Sequence, residues 1–323
     1  MNRLLLRLGF LVLPFAAFLL WFEGARGNRD TNLFIIKQRR LEALAARVEV
    51  LTLGPSHAHD GILPLLVHSN AFNLGAVSQS LYYDCALVRR YAPRLPRLRL
   101  VVLPLSYFTP EYELDDGKEI WRSYYYFRFH RISHRDWRLD THLRNWSTWF
   151  LFGRDSGLAA VRGTLPPDIG GSYDMNGGRI DQRPETARLP HPSPDHVRDS
   201  ASAATARHHA TMNPASLNDN EQRLRELIPF LLAQKIGVVF VTLPVSEGYR
   251  AGQKPENMAR TAQMIAGLER DFGVGHRDYS ADPRFGEADF WDADHLNFAG
   301  AAKFSRLLGK EVVQPLLTRL PER

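Results

Sequence analysis

The first apolar run of the chain is its longest. From Leu4 to Phe22 only Arg7 breaks the apolar pattern, and Arg3 and Arg7 flank its start. A run of about this length can just cross a bilayer. A basic start followed by such a run is the pattern of a signal sequence or of an anchor with its amino end in the cytoplasm. The stretch FEGARG after Trp21 is a poor cleavage site, so the pattern predicts a retained single-pass transmembrane helix over residues 1–30. Everything after it is then expected outside the cytoplasm, on a bacterial-type inner or cytoplasmic membrane.

Beyond the anchor, helical and strand patterns alternate. NLFIIKQRRLEALAARV carries Leu33, Ile36, Leu41, Leu44 and Val48 at roughly helical spacing and reads as an amphipathic connecting helix. VEVLTL at 48–53 is a short apolar stretch ending at Gly54, the pattern of a buried strand that empties into a loop. A second short strand, a turn at Gly75 and a helix ending near Pro93 follow, and LRLVVLPL at 98–105 reads as a third strand. EQRLRELIPFLLAQKIGVVFVTLP gives a helix stopped at Gly237 and a fourth strand. ENMARTAQMIAGLERDFGV is a helix, GHRDYS an edge element, and residues 299–317 a closing helix. The alternation predicts a three-layer α/β/α sandwich around a mainly parallel sheet, one domain over 31–323.

Two stretches interrupt this pattern. Residues 108–152 are dense in Trp and Tyr, including Trp121 and Tyr124, whose faces could stack on sugar rings, sit at a bilayer interface or simply fill core. Residues 162–216 are rich in Gly, Pro and Asp without clear periodicity, as in a lid or a long loop.

Composition removes some function classes. The 41 Lys and Arg against 35 Asp and Glu are scattered, apart from Arg89, Arg90, Arg94, Arg97 and Arg99, so no dense basic stripe marks a nucleic-acid partner. The single cysteine, Cys85, excludes an internal disulfide and a Cys-rich zinc site, and reads as a small hydrophobe within a helix.

The candidate chemistry lies in two loops. Ser56 follows the first strand in LGPSHAHDG, at the edge of a parallel sheet where ligands gather. Asp292 and His295 stand two residues apart in FWDADHLNF, just before the last helix. Nucleophilic catalysis needs an imidazole to take the serine proton and a carboxylate to hold that imidazole in the right tautomer. An Asp-x-x-His turn supplies both. Asp294 competes with Asp292 but reads as a solvated loop carboxylate, and Asn297 as a residue that shapes the loop, caps the last helix or contacts substrate. His57, His59 and Asp60 allow a metal reading if His208 and His209, or Asp292 and His295, complete it. The stronger expectation for His57 and His59 is either support of the catalytic side chains from behind or substrate contact, with no metal or other cofactor.

The order Gly54-x-Ser56, Gly75, Asp292-x-x-His295 resembles the SGNH (GDSL-like) hydrolase superfamily over residues 48–107 and 218–318. With the amino-terminal run, the LPLSYF end of the third strand and the DADHLN loop, it looks like the membrane-anchored branch containing the DltD-type, AlgJ-type and AlgX-type polymer acylation proteins. The resemblance implies Ser56 as nucleophile, His295 as general base, Asp292 as orienting carboxylate, and the amides of Ser56 and Gly75 as oxyanion donors. Pro55 stands where the commonest motif has Asp, and no Gly-x-Asn follows the third strand, leaving Ser106 or Asn73 as the third donor. The implied activity is transfer of a small acyl group to or from a cell-envelope or exported polysaccharide or teichoic-acid-like polymer, with a membrane-bound acyltransferase as donor partner. A catalytically inactive assembly factor on the same fold, and a secreted esterase, are the alternatives.

Overall fold

The computed structural model describes residues 10, 12–21, 33–137, 139, 174–179 and 193–322. The chain divides into two units, one of residues 1–35 and 120–170 and one of residues 36–119 and 171–323.

In the first unit, residues 12–21 are helical and expose Leu13, Leu20 and Trp21. Most of the expected anchor over 1–30 lies outside the described residues, and among those described no helix is long and apolar enough to cross a membrane. Helix α5 (Ser123–His130) gathers aromatic rings, with Tyr125 stacked on Phe34 at 5.4 Å between centroids. Tyr124 is buried, so it offers no open face to a sugar, and Trp121 lies under the Arg122 guanidinium at 4.4 Å.

The second unit is an α/β fold with a five-stranded, wholly parallel sheet flanked by helices. Its strands are β1 (Val50–Thr52), β2 (Ala71–Asn73), β3 (Leu100–Pro104), β4 (Gly237–Thr242) and β5 (Gly275–Asp278), in the order β2-β1-β3-β4-β5. Val50 pairs with both Ala71 and Leu100, Leu100 with Gly237, and Val239 with Gly275. Residues of β1 to β3 are buried on both sheet faces, which is why these strands, apart from Thr52 and Asn73 at the ends of β1 and β2, read as apolar runs rather than alternating ones. Val50, Leu100, Val102, Val239 and Val241 share one core with Ala58 of α2 (Ser56–Gly61), Val67 of α3 (Pro64–Val67) and Phe304 of α10 (Phe298–Leu308). The alternate set, Leu51, Val101, Leu103 and Phe240, is equally buried. On that side α7 (Ser216–Leu232) packs against β4, α4 (Leu81–Tyr91) and α9 (Pro255–Phe272). Cys85 is buried in α4 as a free thiol.

The structure departs from the pattern at two places in this unit. Within 162–216, residues 194–209 form α6 (Pro194–His209), started by Ser193, whose hydroxyl accepts from the His196 amide. Its buried positions are Val197, Ala201, Ala204, Thr205 and His208, too weakly apolar to register as a helical stripe. The stop of α7 falls on Lys235, which holds φ +60°, while Gly237 already begins β4.

Gly54 fixes the turn that follows β1. Its φ is +108°, and a Cβ there would lie 3.1 Å from Ala58 Cβ and 3.2 Å from Pro104 Cβ. Gly54→Ala is therefore expected to lower unfolding free energy by about 1–3 kcal/mol in urea titration. An unchanged midpoint would show that the turn relaxes freely.

Candidate active site

The β1 turn delivers Ser56 to the first turn of α2, behind Pro55. Beneath it, the Gly54 amide donates to Asp84 Oδ1 at 2.9 Å, and Gln79 Nε2 donates to the same oxygen at 2.6 Å. Asp84 is fully buried, and burial pushes its carboxyl up to about 7.

The second loop arrives from the other end of the chain. Trp291 donates its amide to the His295 carbonyl, and Phe290 bridges Leu296, closing the turn on itself. The Asp292 Oδ1 atom accepts from the amides of Asp294 (3.1 Å) and His295 (2.8 Å), so the carboxylate is held by its own loop. His295 Nδ1 lies 2.9 Å from Asp292 Oδ1, and His295 Nε2 lies 2.8 Å from Ser56 Oγ. Thus Ser56, His295 and Asp292, 239 residues apart at the extremes of one contact, form a continuous hydrogen-bonded relay. With Nδ1–H donated to the carboxylate, a neutral ring presents the Nε2 lone pair to the serine hydroxyl, the tautomer that general-base catalysis requires. Asn297 is buried and caps α10, accepting from the Gly300 amide and donating to the carbonyls of Ala288 and Phe290.

Asp294 does not behave as a solvated carboxylate. Its side chain is 1% exposed, and it faces His57 Nε2 at 3.2 Å, Arg207 at 3.0 Å and His208 Nε2 at 3.6 Å. Burial opposes its charge, but the neighbouring imidazoles of His295, His57 and His208 hold its carboxyl far below the usual range. His57 Nδ1 in turn meets Ser106 Oγ at 2.7 Å, giving a second, buried chain of Ser106, His57 and Asp294 beside the first. The His57 and His295 rings meet edge to face, 5.2 Å between centroids. Burial lowers the pKa of His57 and takes that of His208 down to about 3, so both rings are neutral at physiological pH. His295 is the opposite case: burial lowers its pKa, but Asp294, 3.6 Å from Nδ1, and Asp292 outweigh that and raise it to about 9.

The Ser56 amide, in the first turn of α2, makes no hydrogen bond among the described residues. The Gly75 amide donates to Asn73 Oδ1 at 2.9 Å, and Asn73 Nδ2 donates to the carbonyls of Ala58 and Ile62. Ser106 spends its amide on Thr109 Oγ1 and its hydroxyl on His57. As placed, Gly75, Asn73 and Ser106 brace the loops, and only the Ser56 amide is open.

Both histidines of the His-x-His pair are buried rather than open to solvent. His59 is buried 3.2 Å from Lys37 Nζ, which itself donates to the Gly75 carbonyl at 2.6 Å. Burial takes His59 down to about 3 and Lys37 to about 7. The two rings therefore face different partners and do not act as a chelating pair. His57, His208 and Asp294 each offer one atom within 4.8 Å of the others, a donor set a divalent ion could use. The Arg207 guanidinium already supplies a cation to that carboxylate.

Sequence reasoning missed Lys37, Asp84, Arg207 and Tyr249, whose hydroxyl is hydrogen-bonded to His208 Nδ1, at the site. Lys37 alone had a readable signal, since it interrupts the apolar face Leu33, Phe34, Leu41 of α1 (Leu33–Leu44).

No protein-family model matches the chain, and no curated protein matches it by sequence. Among solved structures it is similar to one described as a "putative acylhydrolase" from Bacteroides fragilis NCTC 9343. That similarity covers 86% of this chain and 96% of the other, at 12% identity and a TM-score of 0.41.

Proposed function

We propose that this protein is a serine-dependent enzyme of acyl-ester chemistry, forming an acyl-serine at Ser56. The relay from Ser56 through His295 to Asp292, with contacts of 2.8 and 2.9 Å, carries this reading. His295 Nε2 takes the Ser56 proton as Oγ attacks the acyl carbonyl and returns it to the leaving alcohol. A second hydroxyl, from water or a sugar, then accepts the acyl group by the same proton path in reverse. Set as it is, the site offers one ready oxyanion donor, the Ser56 amide. Loss of a single donor typically slows such a step by about a hundredfold or more, so slow turnover is expected. Slow transfer suits an acceptor held close, since proximity supplies part of the barrier reduction.

The finer reading is an extracytoplasmic O-acyl transferase of the SGNH type, acting on an envelope or exported polysaccharide beside a membrane-bound acyltransferase. It is supported by the order of the site residues and by the basic, apolar amino terminus, whose helical residues 12–21 expose Leu20 and Trp21. The tied Gly75 amide favours one other reading, a polymer-holding assembly factor with a vestigial site. Treatment of the folded protein with a fluorophosphonate, followed by peptide mapping, separates the two. An adduct on Ser56 is the expected result; an unmodified Ser56 in folded protein under conditions that label a control esterase overturns the enzymatic reading.

A further inference from the structure

The carboxyl ends of β3, β4 and β5 and helix α9 enclose a cavity of about 320 Å³. Leu105, Leu243, Val245, Met258 and Ile265 make most of its wall apolar, and Thr242, Gln253, His276 and Asp278 also line it. One end is formed by His57 and Ser106. His57 directly follows the nucleophile candidate in sequence, and its ring packs against that of His295, so the cavity begins one side chain away from the reacting atoms. The rim reaches solvent, because Met258 is 48% exposed and Ala262 also lies there.

A concave, mostly apolar space with a few placed polar groups, at the carboxyl edge of a parallel sheet, is the usual setting of a small-molecule site. At about 30 Å³ for each water-sized group, its volume suits a chain on the order of ten heavy atoms. An acetyl group would leave nearly all of it empty.

We propose that this cavity receives the acyl chain, so that the protein works on medium-chain acyl groups, about six to ten carbons long, rather than on acetyl. The proposal rests on the reading of Ser56 as the acyl-accepting nucleophile. The carbonyl would sit at Ser56, with the chain running past His57 toward Ile265. Each methylene moved from water to such a wall improves binding about fourfold.

The test compares kcat/KM for p-nitrophenyl acetate, butyrate and octanoate in the full chain and in two variants. Ile265→Trp fills the interior, and Ala262→Trp, at an exposed rim position, narrows the cavity from its solvent side. The octanoate to acetate ratio is expected to be at least about a hundredfold in the native chain and to fall at least about tenfold in the variants. A ratio near one, or a ratio that neither variant changes, overturns the proposal. If no ester is turned over, the acyl-serine reading fails and the cavity is tested by itself through the fluorescence of cis-parinaric acid. Saturable binding displaced by octanoate and weakened by Ile265→Trp supports an alkyl-chain site, and absence of binding overturns it.

Discussion

Ser56→Ala is expected to remove turnover of an aryl ester by a factor on the order of 10⁵ to 10⁶ in kcat, with KM little changed. The hydroxyl is the atom that makes the covalent bond, so its loss cannot be offset by the remaining two side chains. His295→Ala should cost a similar factor, and the double variant no more than either single one, because the residues act as one unit. Additive losses would mean that Ser56 and His295 act separately. Ser56 is only half-buried and, among the described residues, its hydroxyl pairs with His295 alone, so the melting temperature should stay within a few degrees. A variant that keeps more than about a hundredth of native activity while remaining folded would remove Ser56 from the chemistry.

The second large effect is in pH. His295 is held at about 9 by Asp294 and Asp292 against its burial, so at neutral pH the ring is mostly cationic and its Nε2 is a donor rather than a base. Attack by Ser56 needs the neutral ring. kcat/KM should therefore rise with pH through an apparent pKa near 9 and fall by two to three orders of magnitude from pH 9 to pH 6, about tenfold per unit. Asp294→Asn removes the charge that does most to favour the cation, and should move the midpoint down toward the ordinary histidine value of about 6.5. A native midpoint at or below 6.5, or a flat profile between pH 6 and 9, overturns this account. Stability must follow the same sign. A pKa raised on folding means that the cationic ring stabilises the native state. That contribution is full below the unfolded value of about 6.5 and is lost as pH rises through about 9. The chain thus gains base function over the range in which it loses this support.

The sheet was legible because burial on both faces leaves only the Thr52 hydroxyl polar in β1 and nothing polar in β3, and a short apolar run between turn signals has few other uses. The meeting of Ser56 with Asp292 and His295 was legible for a related reason: strand order brings the turn after β1 and the loop before α10 to one edge. Other features depended on partners that no local pattern reveals. Asp294 becomes a buried charge only through Arg207, 87 residues away, and His57, 237 residues away. Helix α6 escaped notice because alanine, threonine and histidine fill its inner face. The engaged Gly75 amide did have a local sign, an asparagine two residues upstream able to bend its side chain back onto it.

The turn from Asp292 to His295 has an implication for how such a protein can diverge. Two adjacent imidazoles draw their anions from one four-residue segment, Asp292 serving His295 and Asp294 serving His57. Inserting or deleting a single residue there would misdirect both at once. Descendants that alter either imidazole's environment are thereby steered toward substitution within a fixed loop length, and a transplant of this chemistry onto another scaffold would have to carry the segment whole.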